Sequence, residues 1–143
     1  MNYPHWIKDA PVHSPGAPGP SLPELIDSEA ALDEVQTRPH PALIELFRTL
    51  PGPLLILGAG GKMGPSLARL ARRASEAAGN RIEVIAASRF SDAASRNWLE
   101  EHGVQTHSVD LLEPDALHAL PDAPDIIYLV GLKFGTGQNP ALT

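Results

Sequence analysis

Residues 53–67 read PLLILGAGGKMGPSL, which is an apolar run, a glycine-rich turn and a segment whose apolar residues recur at helical spacing. A bounded apolar run of this length is typical of a buried strand. The apolar positions of the following segment are Leu67, Leu70, Ala71, Ala74 and Ala78. The stretch therefore predicts a strand, a tight turn and an amphipathic helix, in that order.

The glycines of this turn have the spacing G-x-x-G-x-x-G, at Gly58, Gly61 and Gly64. The more common dinucleotide pattern G-x-G-x-x-G would require a glycine at position 63, which is Met63. We expect Gly58 to allow the tight turn, Gly61 to let the backbone approach phosphates, and Gly64 to let the helix lie close to the strand. The predicted phosphate-binding turn also includes Gly60, Lys62 and Met63.

The chemistry of such a turn favours an anion. Backbone N–H groups at a helix N-terminus are unpaired, and the helix dipole adds partial positive charge there, so a pyrophosphate is stabilised. A strand-to-helix turn can also contain glycines for purely structural reasons, and the flanking strand and helix are what favour the nucleotide site.

The composition limits the classes of function. The chain has 143 residues, a net charge of −6 and no cysteine. This length corresponds to one domain, and the lack of cysteine excludes a disulfide framework and a thiol nucleophile. The acidic balance argues against nucleic acid as a partner. No apolar run approaches the roughly 20 residues that span a bilayer, so we expect no membrane partner and a cytoplasmic location. The six histidines show no metal-ligand spacing, and we assign no metal site.

Residues 1–24 form a proline-rich arm by composition, with six prolines between residues 1 and 23 and no apolar periodicity. Tyr3, Trp6 and Ile7 are exceptions. They are consistent either with a loosely held tail or with docking on a neighbouring surface.

Residues 25–52 predict two helices. Ser28 caps the first and Pro39 closes it, whereas Pro41 begins the second and residues 51–52, Pro-Gly, end it. We expect these helices to cover an edge or a face of the sheet.

Strands and helices then alternate over short connections. Further strands are predicted at residues 81–87, 104–109 and 125–130, the last apolar enough to be buried on both faces. The helices between them are expected to begin at a Ser91 cap and at Pro114. Short alternating connections imply right-handed crossovers and a parallel sheet.

The predicted fold class is α/β. Residues 53–143 are expected to form a Rossmann-like, doubly wound parallel sheet that is partial, with about four strands in the order 3-2-1-4 and extra N-terminal helices. Ligands of such sheets bind beyond the carboxyl ends of the strands, so the residues just after each strand are informative.

After the second strand, where NAD sites usually have an acidic residue, the chain has Ser88 and Arg89. A guanidinium can bind a 2′-phosphate through two hydrogen bonds, and a serine hydroxyl can add another, which favours NADP(H). The alternative is a solvated loop arginine, and Asp92 is a possible ribose ligand.

After the third strand come Asp110 and Leu111. The carboxylate is suited either to the adenine amino group or to a turn before the next helix. Val130 and Gly131 follow the fourth strand, where the glycine would let the backbone pass close to the cofactor. Lys133 would lie near the phosphates or the substrate, and a turn glycine with a surface lysine is the alternative.

With these residues in place, the chain resembles the N-terminal part of the extended short-chain dehydrogenase/reductase family, the NAD-dependent epimerase/dehydratase group. The resemblance covers about residues 54–137. It rests on the glycine spacing, on residues 110–111 and on the apolar fourth strand running into residues 130–131. It implies an NAD(P) cofactor and oxidation of a hydroxyl on a sugar or nucleotide sugar, with the small-molecule substrate bound by the full-length protein.

The family's acid/base pair is a Tyr-x-x-x-Lys, which does not occur in this sequence. Tyr128 and Lys133 are five residues apart, so we assign no catalytic residue and expect no activity from the chain alone. We expect a nucleotide-binding half, either an expressed fragment or a natural truncation, which could form a homo-oligomer. The alternatives are a dihydrodipicolinate-reductase-like enzyme, whose opening turn is similar, and a non-catalytic NAD(P)-binding sensor or scaffold.

Overall fold

The structure, a computed structural model, describes residues 21–131. Its helices and strands are, in chain order, α1 (Glu29–Gln36), α2 (Pro41–Thr49), β1 (Leu54–Leu57), α3 (Gly64–Ala78), β2 (Val84–Ser88), α4 (Ala93–Glu101), β3 (Gln105–Ser108), a 3₁₀ helix (Ala116–Ala119) and β4 (Asp125–Tyr128). Most of the predicted arm, with Tyr3, Trp6 and Ile7, lies outside the described residues, as does Lys133.

The four strands form one parallel sheet in the order β3-β2-β1-β4. The α/β class, the parallel sheet and the strand order predicted from the sequence are therefore confirmed. β1 is central, and its last residue, Leu57, pairs with Ala87 of β2 and Tyr128 of β4. This register brings the carboxyl ends of three strands to one edge of the sheet.

The core has a layer on each face of the sheet. Leu54 and Ile56 of β1 pack in a cluster with the helices, whereas Leu55 and Leu57 pack in a second cluster on the opposite face. All four β1 side chains are buried, which follows from their central position in the sheet. In the helical layer α3 contributes the small buried residues Ala68, Ala71 and Ala74.

The extra N-terminal helices have the predicted starts, and α2 covers the helical face. The Ser28 side chain accepts a hydrogen bond from the Ala31 N–H at 3.2 Å, and Pro41 lies in the first turn of α2. Phe47 of α2 is buried in the helical cluster, and Leu43 and Leu50 pack against it. The predicted role as a cover for one face of the sheet is thus confirmed for α2, whereas α1 has no buried residue and is held to α3 by the ion pair between Arg73 and Glu34.

The bounds of the second, third and fourth strands and one helix cap differ from the sequence predictions. The second strand begins at Val84 rather than at residue 81, because Arg81 has a left-handed φ of +51° that is incompatible with a strand. The third strand is limited to Gln105–Ser108. α4 is capped by Asp92 and not by Ser91, since the Asp92 carboxylate accepts from the Ala94 N–H at 3.0 Å.

The helix predicted from Pro114 is only a four-residue 3₁₀ helix, Ala116–Ala119. Its first turn has no side-chain cap at Asp115, and Pro121 follows closely, so the segment is too short to propagate an α-helix. Within residues 21–131, none of the helices combines the length and apolar character needed to cross a bilayer.

The fourth strand ends at Tyr128 and is not buried on both faces, contrary to the prediction. Ile126 is 58% exposed and Tyr128 is 66% exposed. Both lie on the face of the second core cluster, because they pair with Leu55 and Leu57. β4 is an edge strand among the described residues, and the short 3₁₀ segment does not cover this part of the face.

Candidate functional site

The carboxyl edge of the sheet is organised around Gly58, which follows β1 and has a φ of +81°. Its N–H donates to the Ala87 carbonyl of β2 at 2.8 Å. A Cβ at Gly58 would lie 2.9 Å from the Val130 nitrogen, and the neighbouring Leu129 N–H donates to the Leu57 carbonyl at 2.8 Å. The glycine-rich turn therefore contacts the ends of both flanking strands, and a side chain at Gly58 would be strained.

Gly64 gives the close contact between helix and turn that the glycine spacing predicts. A Cβ at this position would lie 2.0 Å from the carbonyl oxygen of Ala59 and 2.5 Å from its Cα. Gly64 and Ala59 are both buried. Only a residue without a side chain can begin α3 this close to the end of β1.

Gly60 packs against the end of β2, a contact that the sequence pattern does not indicate. A Cβ there would lie 2.6 Å from Ser88 Oγ and 3.7 Å from Phe90 Cδ1. By contrast, a Cβ at Gly61 would meet only the Gly58 carbonyl oxygen, at 3.6 Å, an ordinary contact. Packing within residues 21–131 therefore explains why Gly58, Gly60 and Gly64 carry no side chain, but it does not explain the glycine at position 61.

The turn has hydrogen-bond donors available for a ligand. The N–H groups of Gly61 and Gly64 donate to carbonyl oxygens within the turn, at 3.3 and 3.2 Å. Those of Gly60, Lys62 and Met63 donate to no acceptor within residues 21–131. All three of these residues are exposed, so their N–H groups are open to an anion.

The N-terminus of α3 is also free of a side-chain cap. Met63 occupies the N-cap position and makes no capping hydrogen bond, whereas Ser28, His40 and Asp92 cap α1, α2 and α4. α3 has 15 residues, enough for a full dipole at its first turn.

Ser88 and Arg89 lie beside this turn as expected, although Ser88 is the last residue of β2 rather than the first after it. The Arg89 side chain is 68% exposed, and its Nη1 lies 3.9 Å from Asp110 Oδ2. That distance is too long for a hydrogen bond, so the guanidinium is loosely held and can reorient toward a ligand.

Phe90, for which the sequence predicts no role, follows Ser88 and Arg89 at the end of β2. Its φ is +46°, in the left-handed region that non-glycine residues rarely adopt, and its ring packs against the helical core cluster. The partly buried ring thus lies directly after Ser88 and Arg89, at a left-handed turn of the backbone. Nothing in the local sequence signals a positive φ at a phenylalanine.

Asp110 makes the turn contact that was one of its two predicted roles. Its Oδ1 accepts from the Leu112 N–H at 3.0 Å, and its Oδ2 is the atom nearest Arg89. The Val109 N–H donates to the Ser88 carbonyl at 2.9 Å, which brings Asp110 next to the end of β2. An additional bond to an adenine amino group is compatible with this position.

The remaining candidates are Leu111, Val130, Gly131 and Asp92, of which Val130 contacts the glycine turn. Leu111 and Val130 are partly buried and pack against the second core cluster, and the nitrogen and Cγ2 of Val130 lie 2.9 and 3.0 Å from a Cβ placed at Gly58. Gly131 is exposed, with no atom within 4 Å of a Cβ placed there. The Oδ1 atom of Asp92, the possible ribose ligand, caps α4.

The structure thus gathers the glycine turn, Ser88 and the backbone of Val130 around the end of β1, with Arg89 and Asp110 beside them. Comparisons of the chain with protein-family models, with curated proteins and with solved structures gave no match. The function is therefore inferred from the geometry of this edge.

Proposed function

We propose that the carboxyl edge of the sheet binds a nicotinamide dinucleotide, with a preference for NADP(H). The observation that carries this proposal is the glycine-rich turn at the end of the central strand, followed by an uncapped 15-residue helix. In a doubly wound sheet this is the position at which a dinucleotide pyrophosphate is bound.

The pyrophosphate fits the free donors of the turn. The N–H groups of Gly60, Lys62 and Met63 have no acceptor within residues 21–131, and Gly61 leaves open space beside them. These four residues would hold the phosphates, and the exposed Lys62 adds positive charge to the same turn.

The 2′-phosphate of NADP(H) is assigned to Ser88 and Arg89. Ser88 contacts the turn at Gly60, and Arg89 carries an exposed guanidinium whose neighbour, Asp110, is 3.9 Å away. A phosphate can bind such a guanidinium through two charge-assisted hydrogen bonds, whereas the uncharged ribose 2′-hydroxyl of NAD(H) would bind it more weakly. When bound, the nicotinamide would supply hydride transfer.

The wider reaction follows from the resemblance alone. On that basis these residues are the cofactor-binding part of an epimerase/dehydratase-type oxidoreductase that acts on a sugar or nucleotide-sugar hydroxyl. Since no acid/base pair is assigned in these 143 residues, cofactor binding is the step that this chain allows us to test.

The test is Gly61→Val. The two added methyl groups of the isopropyl side chain, together with its Cβ, would occupy the space where phosphate oxygens approach. The fold should tolerate them, because the Cβ meets only the Gly58 oxygen, at 3.6 Å, and Gly61 is not among the positive-φ glycines, which are Gly58, Gly79 and Gly103. We expect calorimetry to show NADPH binding to the native chain and none to Gly61→Val.

A matched control is Ala77→Val, which adds the same two methyl groups at an exposed position in α3 outside the first turn. It should bind NADPH like the native chain. Circular dichroism on both variants separates loss of binding from loss of fold. Unchanged NADPH affinity in a folded Gly61→Val variant would refute the site, and failure of the native chain to bind would refute the function.

A further inference from the structure

A second feature of the molecule is an apolar groove on the helical face of the sheet, with a volume of about 310 Å³. It lies between α2, α3 and the first residues of β1 and β4. Its walls include Leu46, Leu50, Leu70 and Ile127, and the cofactor edge contributes none of the lining residues. Leu46 is 53% exposed, and Leu50 and Ile127 are partly exposed, so large apolar side chains line an open cleft.

The groove contains one acidic group. Asp125, the first residue of β4, lines it, and its Oδ2 is buried with no hydrogen-bond partner within residues 21–131. A buried carboxylate oxygen without a donor is costly, and buried charges are normally paired. The groove is therefore complementary to a segment that has large apolar side chains next to a cation.

We propose that the N-terminal segment of this chain, residues 3–8, docks in the groove. Trp6 and Ile7 supply two large apolar side chains, and Lys8 follows them directly. In this arrangement Trp6 and Ile7 fill the apolar cleft, and the Lys8 ammonium donates to Asp125. The charge and the polarity of the segment both match the groove, and the docked segment removes apolar surface from water.

The connecting chain is long enough. The carbonyl of Ser21, the first described residue, accepts from Arg38 Nη1 at 3.4 Å, and α2 begins only three residues after Arg38, at Pro41. The 13 residue steps from Lys8 to Ser21 can span up to about 40 Å, since each extended residue covers roughly 3.3 Å. α2 has nine residues and is only about 14 Å long at 1.5 Å per residue. Every part of the groove along α2 is therefore within reach of residues 3–8.

The absence of cysteine in the sequence permits a clean crosslinking test. Cysteines are introduced at Ile7 and Leu46 in the full chain, and disulfide formation is driven with diamide and followed on non-reducing gels. The control pairs Ile7→Cys with Leu112→Cys, at a residue that is 80% exposed and outside the groove. We expect the Leu46 pair to close within one chain at least ten times faster than the control pair.

Two results would overturn the proposal. Equal rates for the two pairs would mean that the segment has no preference for the groove. A crosslink that forms mainly between differently tagged copies would mean that a second copy, and not the chain's own segment, occupies it.

Tryptophan fluorescence gives an independent measurement. In a Trp98→Phe background Trp6 is the remaining tryptophan, and docking should lower its quenching by acrylamide several-fold relative to free indole. Adding Leu46→Glu, which places a charge in the groove at an exposed position, should restore full quenching, whereas Leu112→Glu should not. Full quenching of Trp6 before any groove substitution would contradict the proposal.

The ion pair has its own test. Lys8→Glu should raise the quenching of Trp6, and Lys8→Glu combined with Asp125→Lys should lower it again. If Trp6 is quenched as strongly in the folded double variant as in Lys8→Glu, Lys8 does not pair with Asp125 and this part of the proposal is wrong. Circular dichroism confirms the fold of each variant, and none of these measurements depends on cofactor binding.

Discussion

Replacing Gly64 with alanine should destabilise the fold, whereas the same replacement at Gly61 should not. The new Cβ at Gly64 would lie 2.0 Å from the Ala59 carbonyl oxygen and 2.4 Å from its carbonyl carbon. Real Cβ atoms stay 3.0 Å or more from such atoms, so α3 and the turn must separate by at least about 1 Å. Both residues are buried and the clashing atoms are backbone, so no side chain can rotate away.

The expected cost follows from these contacts. Overpacking of a core typically costs about 1–3 kcal/mol, and a clash with backbone atoms belongs at the upper end of that range. Alanine also restricts the unfolded chain, which offsets roughly 0.4–1 kcal/mol. A net loss of about 2 kcal/mol corresponds to a fall in Tm of roughly 4–8 °C for a domain of this size.

Urea denaturation followed by circular dichroism measures the free energy of unfolding. Gly61→Ala is the matched control, because its Cβ lies 3.6 Å from the Gly58 oxygen and meets nothing closer. It should leave the stability unchanged or raise it by up to about 1 kcal/mol. The reasoning fails if Gly64→Ala is within about 0.5 kcal/mol of the native chain, the usual scatter of a neutral substitution, or if both variants lose the same amount.

Two further predictions concern the cofactor, and one concerns pH. Arg89→Ala should weaken NADPH binding by about 1.5–3 kcal/mol, the range for hydrogen bonds to charged groups, and leave NADH binding nearly unchanged. Calorimetry with both cofactors measures this difference. Equal losses of affinity would show that Arg89 contacts a part of the dinucleotide that NADPH and NADH share. Asp110→Asn keeps an acceptor for the Leu112 N–H and removes the negative charge near Arg89. The affinity for NADPH should therefore rise several-fold. A lower affinity would contradict the assignment of the 2′-phosphate to Arg89. The hydrogen bond from Arg73 is the main reason that the pKa of Glu34 lies below its ordinary value. Because this pKa is lowered on folding, the stability from the pair is complete above about pH 4.3, the usual value for glutamate, and is lost as the pH falls through the folded-state pKa. Glu34→Gln should therefore cost stability near pH 7, within about 1 kcal/mol for a part-exposed pair, and this cost should shrink as the pH falls below about 4.3. A cost that grows on acidification in urea titrations would exclude this origin.

The sequence by itself determined the central strand, the turn after it and the order of the sheet. The run of residues 54–57 and the glycines behind it are local signals, because a short apolar run and three spaced glycines have few structural alternatives. The sequence also predicts the starts of α1 and α2, because the effects of Ser28 and Pro41 are confined to the backbone of the first helical turn. The strand order followed from the alternation of strands and helices.

Only the tertiary structure decided the details of the site. Ser91 and Asp92 are both good cap residues, so the sequence alone does not choose between them. In the structure Asp92 caps α4, two residues after the left-handed turn at Phe90. The contact between Gly60 and Ser88 joins residues 28 positions apart, so no local pattern contains it.

Burial of the fourth strand was decided in the same way. The sequence of residues 125–130 is apolar enough for a central strand, yet Ile126 and Tyr128 are exposed because β4 has a neighbour on one side only among residues 21–131. Apolar character is a property of the residue, whereas burial depends on which distant segments pack against it. That dependence is why the sequence determined the strand and only the packed sheet determined its environment.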